Sequence, residues 1–181
     1  MNSLKEKTAV FANGCFWCTE AVFSSLKGVK LVVSGYTGGK ISNPSYEQVS
    51  GGATGHAEAI KIEYDPSVIS YDDLLAVFFN THDPTTLNRQ GNDVGTQYRS
   101  GIFYADEEQK MKAETLVKEL NDTKAYDKPV VTEVQPLGEF YSAEAYHQEY
   151  YQHHVDQPYC QLVIAPKLEK LEKKFAELLK K

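Results

Sequence analysis

The residue best placed to carry chemistry is Cys15, which follows Gly14 at a predicted junction between a strand and a helix. The apolar stretch 8–12 is short and ends in an Asn-Gly turn, which is typical of a buried strand. Apolar residues of the segment 16–26 recur on one face, which predicts a helix. At a helix N-terminus, unpaired N–H groups and the macrodipole favour an anion and can lower a thiol pKa from about 8.5 to roughly 3.5–7.5. We therefore expect Cys15 to be a thiolate nucleophile rather than a small buried apolar side chain.

Glu58 is the second candidate, because it lies in a segment, 56–64, that alternates as a strand. Alternate side chains of a strand share a face, so Glu58 should lie beside Ile60 and Ile62 on the apolar face. Burial raises the pKa of a carboxyl group, and a carboxyl that is protonated near neutral pH is a general acid. The residues alone leave a second possibility open, in which Glu58 reaches solvent or pairs with a cation at the sheet edge.

Three polar and two aromatic side chains complete the candidate set: Tyr46, Tyr98, Asp93, Phe16 and Trp17. Taken alone, these residues have ordinary structural explanations. The chain has 12 tyrosines, most of which must simply pack. An aspartate among glycines can stabilise a turn, and large apolar side chains usually belong to the core.

The elements that would position these residues alternate between strand and helix. The predicted strands cover 8–12, 29–33, 56–64, 98–104 and 130–134. The predicted helices cover 16–26, 71–80, 106–120, 142–153 and 166–178, with Asp106 and Ser142 as N-caps and Gln109 at the capping-box position. Two long segments, 34–55 and 81–95, are predicted as loops, and the first is rich enough in glycine and tyrosine to suggest an ordered functional loop. This order favours an α+β or mixed α/β sandwich.

The composition limits the class of protein. A chain of 181 residues with 41% hydrophobic residues fits one domain, 1–181, with a C-terminal helical extension from about 166. The net charge of −6 argues against nucleic acid and anionic membranes as partners, although the stretch 167–181 is rich in lysine. The polar N-terminus predicts no signal peptide, and no apolar run is long enough to span a bilayer. Three cysteines do not form a secreted disulfide framework, so we expect a cytoplasmic protein whose cysteines are catalytic, redox-active or metal-binding.

Four stretches of the sequence resemble the A-type peptide methionine sulfoxide reductases. The stretch Gly-Cys-Phe-Trp at 14–17 is similar to the active-site signature of that family. Three others, GYTGG at 35–39, TGHAE at 54–58 and GNDVGTQYRS at 91–100, resemble the family in order and spacing. The resemblance implies a two-layer sandwich around a ferredoxin-like βαβ core with extensive coil. It also implies an oxidoreductase that reduces the S epimer of methionine sulfoxide, protein-bound or free, and so repairs oxidised proteins under oxidative stress.

The resemblance assigns a role to each of five polar residues. It implies that Cys15 attacks the sulfoxide sulfur and that Glu58 protonates the departing oxygen. Tyr46 and Tyr98 would orient the sulfoxide oxygen, which is consistent with buried donors stabilising a developing negative charge. Asp93 would hold a polar network or a water molecule in place.

The resemblance also implies a methyl pocket and a resolving cysteine. Phe16 and Trp17 would form the pocket for the substrate methyl group. Cys15 would become a sulfenic acid that a second thiol converts into a disulfide. We favour Cys160 as this resolving thiol, although many family members carry it in a flexible glycine-rich tail and this tail reads as a helix. Cys18, where many members have glycine, stays open as a relay, an alternative resolver or a bystander, because a direct disulfide to Cys15 within one helix is awkward.

The expected partners follow from the same chemistry. The electrons come from thiols, so no cofactor and no metal are expected. We expect oxidised proteins, peptides and free methionine sulfoxide as substrates, a thioredoxin-type reductant, and a monomer that binds neither nucleic acid nor membrane.

Two other functions compete with this interpretation. The pair Cys15 and Cys18 forms a Cys-x-x-Cys motif, which is also found in general thiol–disulfide oxidoreductases. A zinc module is a third possibility, but only one Cys-x-x-Cys occurs. Its ligands would be Cys15, Cys18, Cys160 and either His153 or His154.

Overall fold

The structure, a computed structural model, describes residues 5–181 and contains one six-stranded sheet, a small hairpin and six helices in that range. The first four residues, part of the polar start that predicts no signal peptide, lie outside the described residues. The strands are β1 (Lys7–Asn13), β2 (Val29–Thr37), β3 (Ala57–Tyr64), β4 (Arg89–Gln90), β5 (Asp93–Val94), β6 (Ser100–Tyr104), β7 (Glu133–Pro136) and β8 (Phe140–Ser142). The helices are α1 (Phe16–Ser24), α2 (Tyr46–Ser50), α3 (Tyr71–Asn80), α4 (Glu107–Asp122), α5 (Tyr150–His153) and α6 (Ala165–Phe175).

The sheet is built around a split βαβ unit. Its strand order is β7-β6-β1-β3-β2-β8. Strand β3 pairs antiparallel with both β1 and β2, so β1 and β2 run parallel with β3 between them, and α1 connects the two. This is the ferredoxin-like arrangement that the resemblance implies, and the mixed α/β fold class is confirmed. Strand β6 extends the sheet antiparallel to β1, and β7 adds a parallel edge strand.

The main core packs helices against one face of the sheet. The ring of Phe11 in β1 lies 5.5 Å from Phe23 of α1 and 5.1 Å from Phe78 of α3, measured between ring centroids. Burial of each such side chain contributes about 1.5–3 kcal/mol relative to leaving it in water. Because β1 ends where α1 begins, this aromatic cluster also fixes the strand-to-helix junction that carries Cys15.

Both predicted long loops contain regular structure. Residues 34–37 continue β2 as far as Thr37, because they pair with β3 on one side and β8 on the other. The short helix α2 then begins after Ser45, whose hydroxyl accepts a hydrogen bond from Gln48 N while the Gln48 side chain accepts one from Ser45 N. The segment 81–95 contains the hairpin β4–β5. The extension of β2 needs strands β3 and β8, which are distant in sequence, so local composition did not reveal it.

The predicted helix 142–153 is not continuous. Ser142 ends β8, where it pairs with Gly35, so it is not a helix cap. A 3₁₀ turn covers Ala145–His147, and Glu149 has a left-handed backbone, with φ 53° and ψ 33°, before α5 begins. A left-handed residue interrupts a right-handed helix, which explains the break.

The other predicted helices differ mainly at their ends. The helix predicted over 71–80 is confirmed as α3. Helix α4 begins after its N-cap Asp106 as predicted, but the Gln109 side chain accepts from Ala105 N, so the capping box is incomplete. The final helix begins before Pro166, with a π-helical turn over Cys160–Ile164 that continues into α6. Among residues 5–181, no helix has the length and hydropathy needed to cross a membrane.

The capping box of α3 offers a test of local stability. The Ser70 hydroxyl accepts from Asp73 N at 3.0 Å, and the Asp73 carboxylate accepts from Ser70 N at 3.0 Å. We expect Ser70→Ala to lower the free energy of unfolding by about 1 kcal/mol, which corresponds to a fall of about 2–4 °C in Tm. Urea and thermal unfolding would measure it. The control is Ser67→Ala, whose exposed hydroxyl bonds only to Asp65 and should matter by less than about 0.5 kcal/mol; equal losses in both variants would contradict the capping role.

Candidate active site

The candidate site begins at the turn between β1 and α1. Gly14 has φ 106°, and a Cβ at this position would lie 2.7 Å from Cγ of Gln90. Cys15 is the N-cap of α1, with an extended backbone, and its carbonyl accepts a hydrogen bond from Cys18 N at 3.1 Å. Its side chain is only 9% exposed. The turn therefore presents the Cys15 thiol at the start of α1, where the sequence places it.

Glu58 lies on β3 directly beside this turn. Its side chain is 2% exposed, and its Oε2 accepts a hydrogen bond from Phe16 N at 3.1 Å. Burial raises the pKa of Glu58 to about 8, although the Phe16 N–H favours the charged form. In the described chain, no lysine or arginine forms an ion pair with this carboxyl. Glu58 therefore holds a proton at neutral pH and is not the solvated or paired carboxylate that the sequence left open.

The ionisation of Cys15 differs from the sequence-based expectation. Burial raises the pKa of the Cys15 thiol well above its ordinary value, and its hydrogen bond to Cys18 and the nearby Glu58 add to the rise. The pKa of Cys18 is instead lowered to about 7, because the Cys15 thiol donates to it and because Lys167 is positively charged. The two thiols titrate as a pair. Burial therefore opposes a resting thiolate at Cys15, and the role of Cys15 as the nucleophile stays a prediction.

Tyr46, Tyr98 and Asp93 lie near Cys15 and Glu58. Burial raises the pKa of both phenols, and charge on Glu58, Cys15 or Asp93 adds to the rise. Both hydroxyls are therefore protonated donors at neutral pH. Tyr46 is the first residue of α2, Tyr98 ends a 3₁₀ turn, and Asp93 belongs to β5. The structure thus brings together five residues that come from five separate parts of the chain.

Two side chains, His147 and Tyr150, contact the Trp17 indole from different sides. Its Nε1–H donates to His147 Nδ1 at 3.1 Å, and its ring stacks on Tyr150 with centroids 3.7 Å apart and an angle of 7°. An indole N–H can only donate, so Nδ1 of His147 is the acceptor and the neutral ring carries its proton on Nε2. Burial lowers the pKa of His147, which favours this neutral form. The sequence assigned neither His147 nor Tyr150 to the site.

Phe16 is buried and packs against the same histidine. Its ring centroid is 5.1 Å from that of His147 and 5.7 Å from that of Tyr36. Tyr46 also lies against His147, at 4.5 Å. The rings of Phe16, Trp17 and Tyr46 therefore form one aromatic cluster around His147.

Tyr159 is a further residue that sequence reasoning missed. Its hydroxyl donates to Asp93 Oδ2 at 2.9 Å and lies 3.5 Å from Cys18 Sγ. A cavity of about 420 Å³ between the β4–β5 hairpin and residues 159–167 reaches Cys15 and Cys18. No local motif marks Tyr159, because its partners lie far from it along the chain.

Cys160 completes a cluster of three free thiols. It is 0% exposed and packs in one apolar cluster with Cys15, Cys18 and Ile164. Burial raises the pKa of Cys160, and charge on Cys18 adds to the rise. Because Cys15 lies outside the helix and accepts from Cys18 N, the two form a four-residue turn whose ends are within about 7 Å. That separation overlaps the range of about 4.4–6.8 Å for disulfides, so a Cys15–Cys18 bond is less awkward than the sequence suggested.

The side chains proposed for a zinc module do not converge. His153 is exposed and lies 3.9 Å from the Glu149 carboxylate, and His154 stacks on Tyr150. Over residues 5–181, no group of three or more histidine, cysteine or acidic residues is placed to hold a metal ion.

Comparison with known proteins identifies the family. The model of the family described as "Peptide methionine sulfoxide reductase" matches residues 7–179. The chain is 51% identical over 175 residues to peptide methionine sulfoxide reductase MsrA of Deinococcus radiodurans, covering 97% of this chain and 85% of that protein. The structure of methionine sulfoxide reductase A of Corynebacterium diphtheriae matches with a TM-score of 0.80 and 34% identity, over 84% of this chain and 77% of that chain. Reduced Mxr1 of Saccharomyces cerevisiae matches with a TM-score of 0.78 and 34% identity, over 88% and 91%. The chain belongs to the A-type peptide methionine sulfoxide reductase family.

Proposed function

We propose that this chain reduces the S epimer of methionine sulfoxide, in proteins, in peptides or free, to methionine at the expense of thiols. The observation that carries the proposal is a proton-holding carboxyl, Glu58, whose hydrogen-bond donor, Phe16 N, is the residue next to Cys15. Proton donor and nucleophile therefore face one substrate position. Many curated MsrA relatives at about 50% identity support the same reaction.

The first step forms a bond between Cys15 and the substrate sulfur. Cys15 and Cys18 titrate as a pair, and the form of the pair that reacts has the negative charge on Cys15 and the proton on Cys18. The Cys15 thiolate then attacks the sulfoxide sulfur while Glu58 gives its proton to the oxygen. Tyr46 and Tyr98 donate hydrogen bonds to that oxygen as negative charge develops on it.

Methionine leaves when the oxygen is transferred to Cys15. The S–O bond of the substrate and the bond between the Cys15 sulfur and the substrate sulfur both break, and a new S–O bond leaves Cys15 as a sulfenic acid. The Cys15 sulfur loses the two electrons that the substrate sulfur gains. Phe16 and Trp17 contact the methyl group of the substrate, because a polarizable S-methyl packs well against aromatic faces. Asp93, held by the Tyr159 hydroxyl, orders the polar side of the site.

A second thiol then resolves the sulfenic acid. Our proposal keeps Cys160 in this role, because it packs in the same cluster as Cys15 and Cys18. Its thiol attacks the sulfenic sulfur, water leaves, and a disulfide forms. Cys18 is the alternative resolver or a relay between the other two, since it is close to Cys15 and charge on it raises the pKa of Cys160.

The reductant and the setting belong to the proposal as well. A thioredoxin-type dithiol would restore the thiols; the yeast relative Mxr1 has been solved in complex with Trx2. Three free cysteines suit a reducing compartment, so we place the protein in the cytoplasm. We propose a monomer with a single catalytic domain over 1–181 and a helical extension from about 166.

One observation favours a second candidate function. Cys18 has a pKa of about 7 and follows an N-cap cysteine, which suits a general thiol–disulfide oxidoreductase. Such an enzyme would not need the proton of Glu58. The variants below distinguish the two functions.

Separate incubation with each sulfoxide epimer tests the proposed reaction. With dithiothreitol as reductant, the protein should form methionine from the S epimer and not from the R epimer. Cys15→Ser should form none, even in a single turnover, because its hydroxyl is a far weaker nucleophile than a thiolate. Chromatographic measurement of methionine is the readout, and product from the R epimer or from Cys15→Ser would contradict the proposal.

The Glu58 proton predicts a pH dependence. Because the pKa of Glu58 is about 8, its protonated fraction falls as the pH rises through that value. The single-turnover rate at saturating sulfoxide should therefore decline above about pH 8. Glu58→Gln should remove this decline and lower the rate by about 10²–10⁴-fold, the usual contribution of a general acid. Glu63→Gln, on the same strand and the opposite face, is the matched control; near-normal sulfoxide reduction by Glu58→Gln would favour the second function.

Two cysteine variants test the resolving step. With a thioredoxin-type reductant, Cys160→Ser should release about one methionine per enzyme and then stall, since attack and recycling are separate steps. Cys18→Ser should continue to turn over. Methionine per enzyme and titration of free thiols measure the difference, and the opposite pattern would transfer the resolving role to Cys18.

A further inference from the structure

Glu20 is a buried carboxyl that the proposed reaction does not use. It lies on α1 three residues after Trp17 and is 4% exposed. Burial raises its pKa. In residues 5–181, no lysine, arginine or histidine forms an ion pair with it. A buried, unpaired carboxyl is costly, so its hydrogen bonds define what it does.

Those hydrogen bonds converge on one backbone turn. Both carboxyl oxygens of Glu20 accept from Glu149 N, at 2.9 and 3.0 Å, and Oε2 also accepts from the Ser34 hydroxyl at 3.3 Å. Glu149 has a left-handed backbone, with φ 53°. Residues with a Cβ disfavour this conformation, and glutamate is not among the few that tolerate it well. The hydrogen bonds to the Glu20 carboxyl therefore stabilise a backbone conformation that Glu149 does not favour by itself.

The turn at Glu149 separates the two residues that hold Trp17. His147, two positions before it, accepts the indole N–H, and Tyr150, directly after it, stacks on the indole ring. The separation between those two side chains depends on the direction that the backbone takes at Glu149. Glu20 and Trp17 lie on the same helix, so the carboxyl and the indole are fixed to one rigid element.

A second side chain fastens the same segment to the sheet. Gln148 accepts from Ser34 N at 2.9 Å and donates to Ser34 O at 2.9 Å. Ser34 also donates its hydroxyl to Glu20. This contact anchors the segment before the turn, whereas Glu20 accepts the backbone N–H of Glu149 at the turn itself.

We propose that Glu20 is a positioning residue for the methyl pocket, acting through the left-handed turn at Glu149 to hold His147 and Tyr150 against Trp17. The inference rests on the proposed function, in which Trp17 contacts the substrate methyl group. Loss of the Glu20 carboxylate loosens the indole and weakens substrate binding. The chemical step at Cys15 is left intact.

The test compares Glu20→Gln with a rescue variant. The amide keeps the shape of Glu20 but retains only one oxygen acceptor for Glu149 N. We expect KM for the S sulfoxide to rise by about tenfold, which is less than the roughly hundredfold loss of rate that a misplaced group can cause. The single-turnover rate at saturating sulfoxide should stay within about twofold of the wild-type rate. Acrylamide quenching of Trp17, the only tryptophan, should increase.

Glu149→Gly in the Glu20→Gln background should restore both readouts. Glycine adopts the left-handed conformation without a Cβ penalty, so the turn no longer needs the carboxylate. A role limited to general stability would not be rescued in this way. Glu114→Gln, an exposed residue of α4, is the control and should change neither KM nor quenching.

Unchanged KM and quenching in Glu20→Gln would overturn the inference, as would a folded double variant that keeps the defect. Failure of Glu20→Gln to fold in both backgrounds would also overturn it, because Glu20 would then determine the fold. Quenching of Trp17 does not depend on turnover. If the wild-type protein reduced no sulfoxide, the proposed function would fail while quenching still tested the Glu20 arrangement.

Discussion

The site depends on keeping one carboxyl group uncharged against a thiol. A charged Glu58 would repel a thiolate at Cys15, and a solvated Glu58 would lose its proton before neutral pH. Burial of Glu58 on β3 prevents both, and its carboxyl accepts one backbone N–H, at the start of α1. That N–H belongs to Phe16, so the same hydrogen bond sets the distance between acid and nucleophile. The burial that raises the pKa of Glu58 also raises the pKa of the neighbouring Cys15 thiol.

The architecture brings distant segments to this point. The split βαβ unit places the start of α1 next to the start of β3, and α2 and the β4–β5 hairpin supply the hydroxyl and carboxylate groups. The C-terminal part of the chain covers one side of the site. Residues 144–150 are hydrogen-bonded to β2, and residues 159–167 pack against the thiols. The C-terminal residues thus form walls of the site, and the three thiols share one desolvated cluster with different acidities.

The sequence predicted the parts of the site that depend on local periodicity. Gly14 before Cys15 marked the strand-to-helix turn, and the alternation around Glu58 placed that carboxyl on the apolar face. Tyr46, Tyr98 and Asp93 were reached only through the resemblance, because tyrosine and aspartate have many structural uses. Tyr150 was missed because it reaches Trp17 through a left-handed glutamate, which no propensity predicts. The rise in the pKa of Cys15 was not predicted, because burial depends on tertiary packing.

Gly14 has a consequence for how the nucleophile is specified. Its backbone has φ 106°, and the space for a Cβ is already occupied by the base of the Gln90 side chain. Two unrelated constraints, one torsional and one steric, therefore exclude every residue with a side chain from this position. A chain that lost this glycine would have to move both the first turn of α1 and the hairpin beside it. The position of the Cys15 sulfur therefore depends on residue 14 having no side chain.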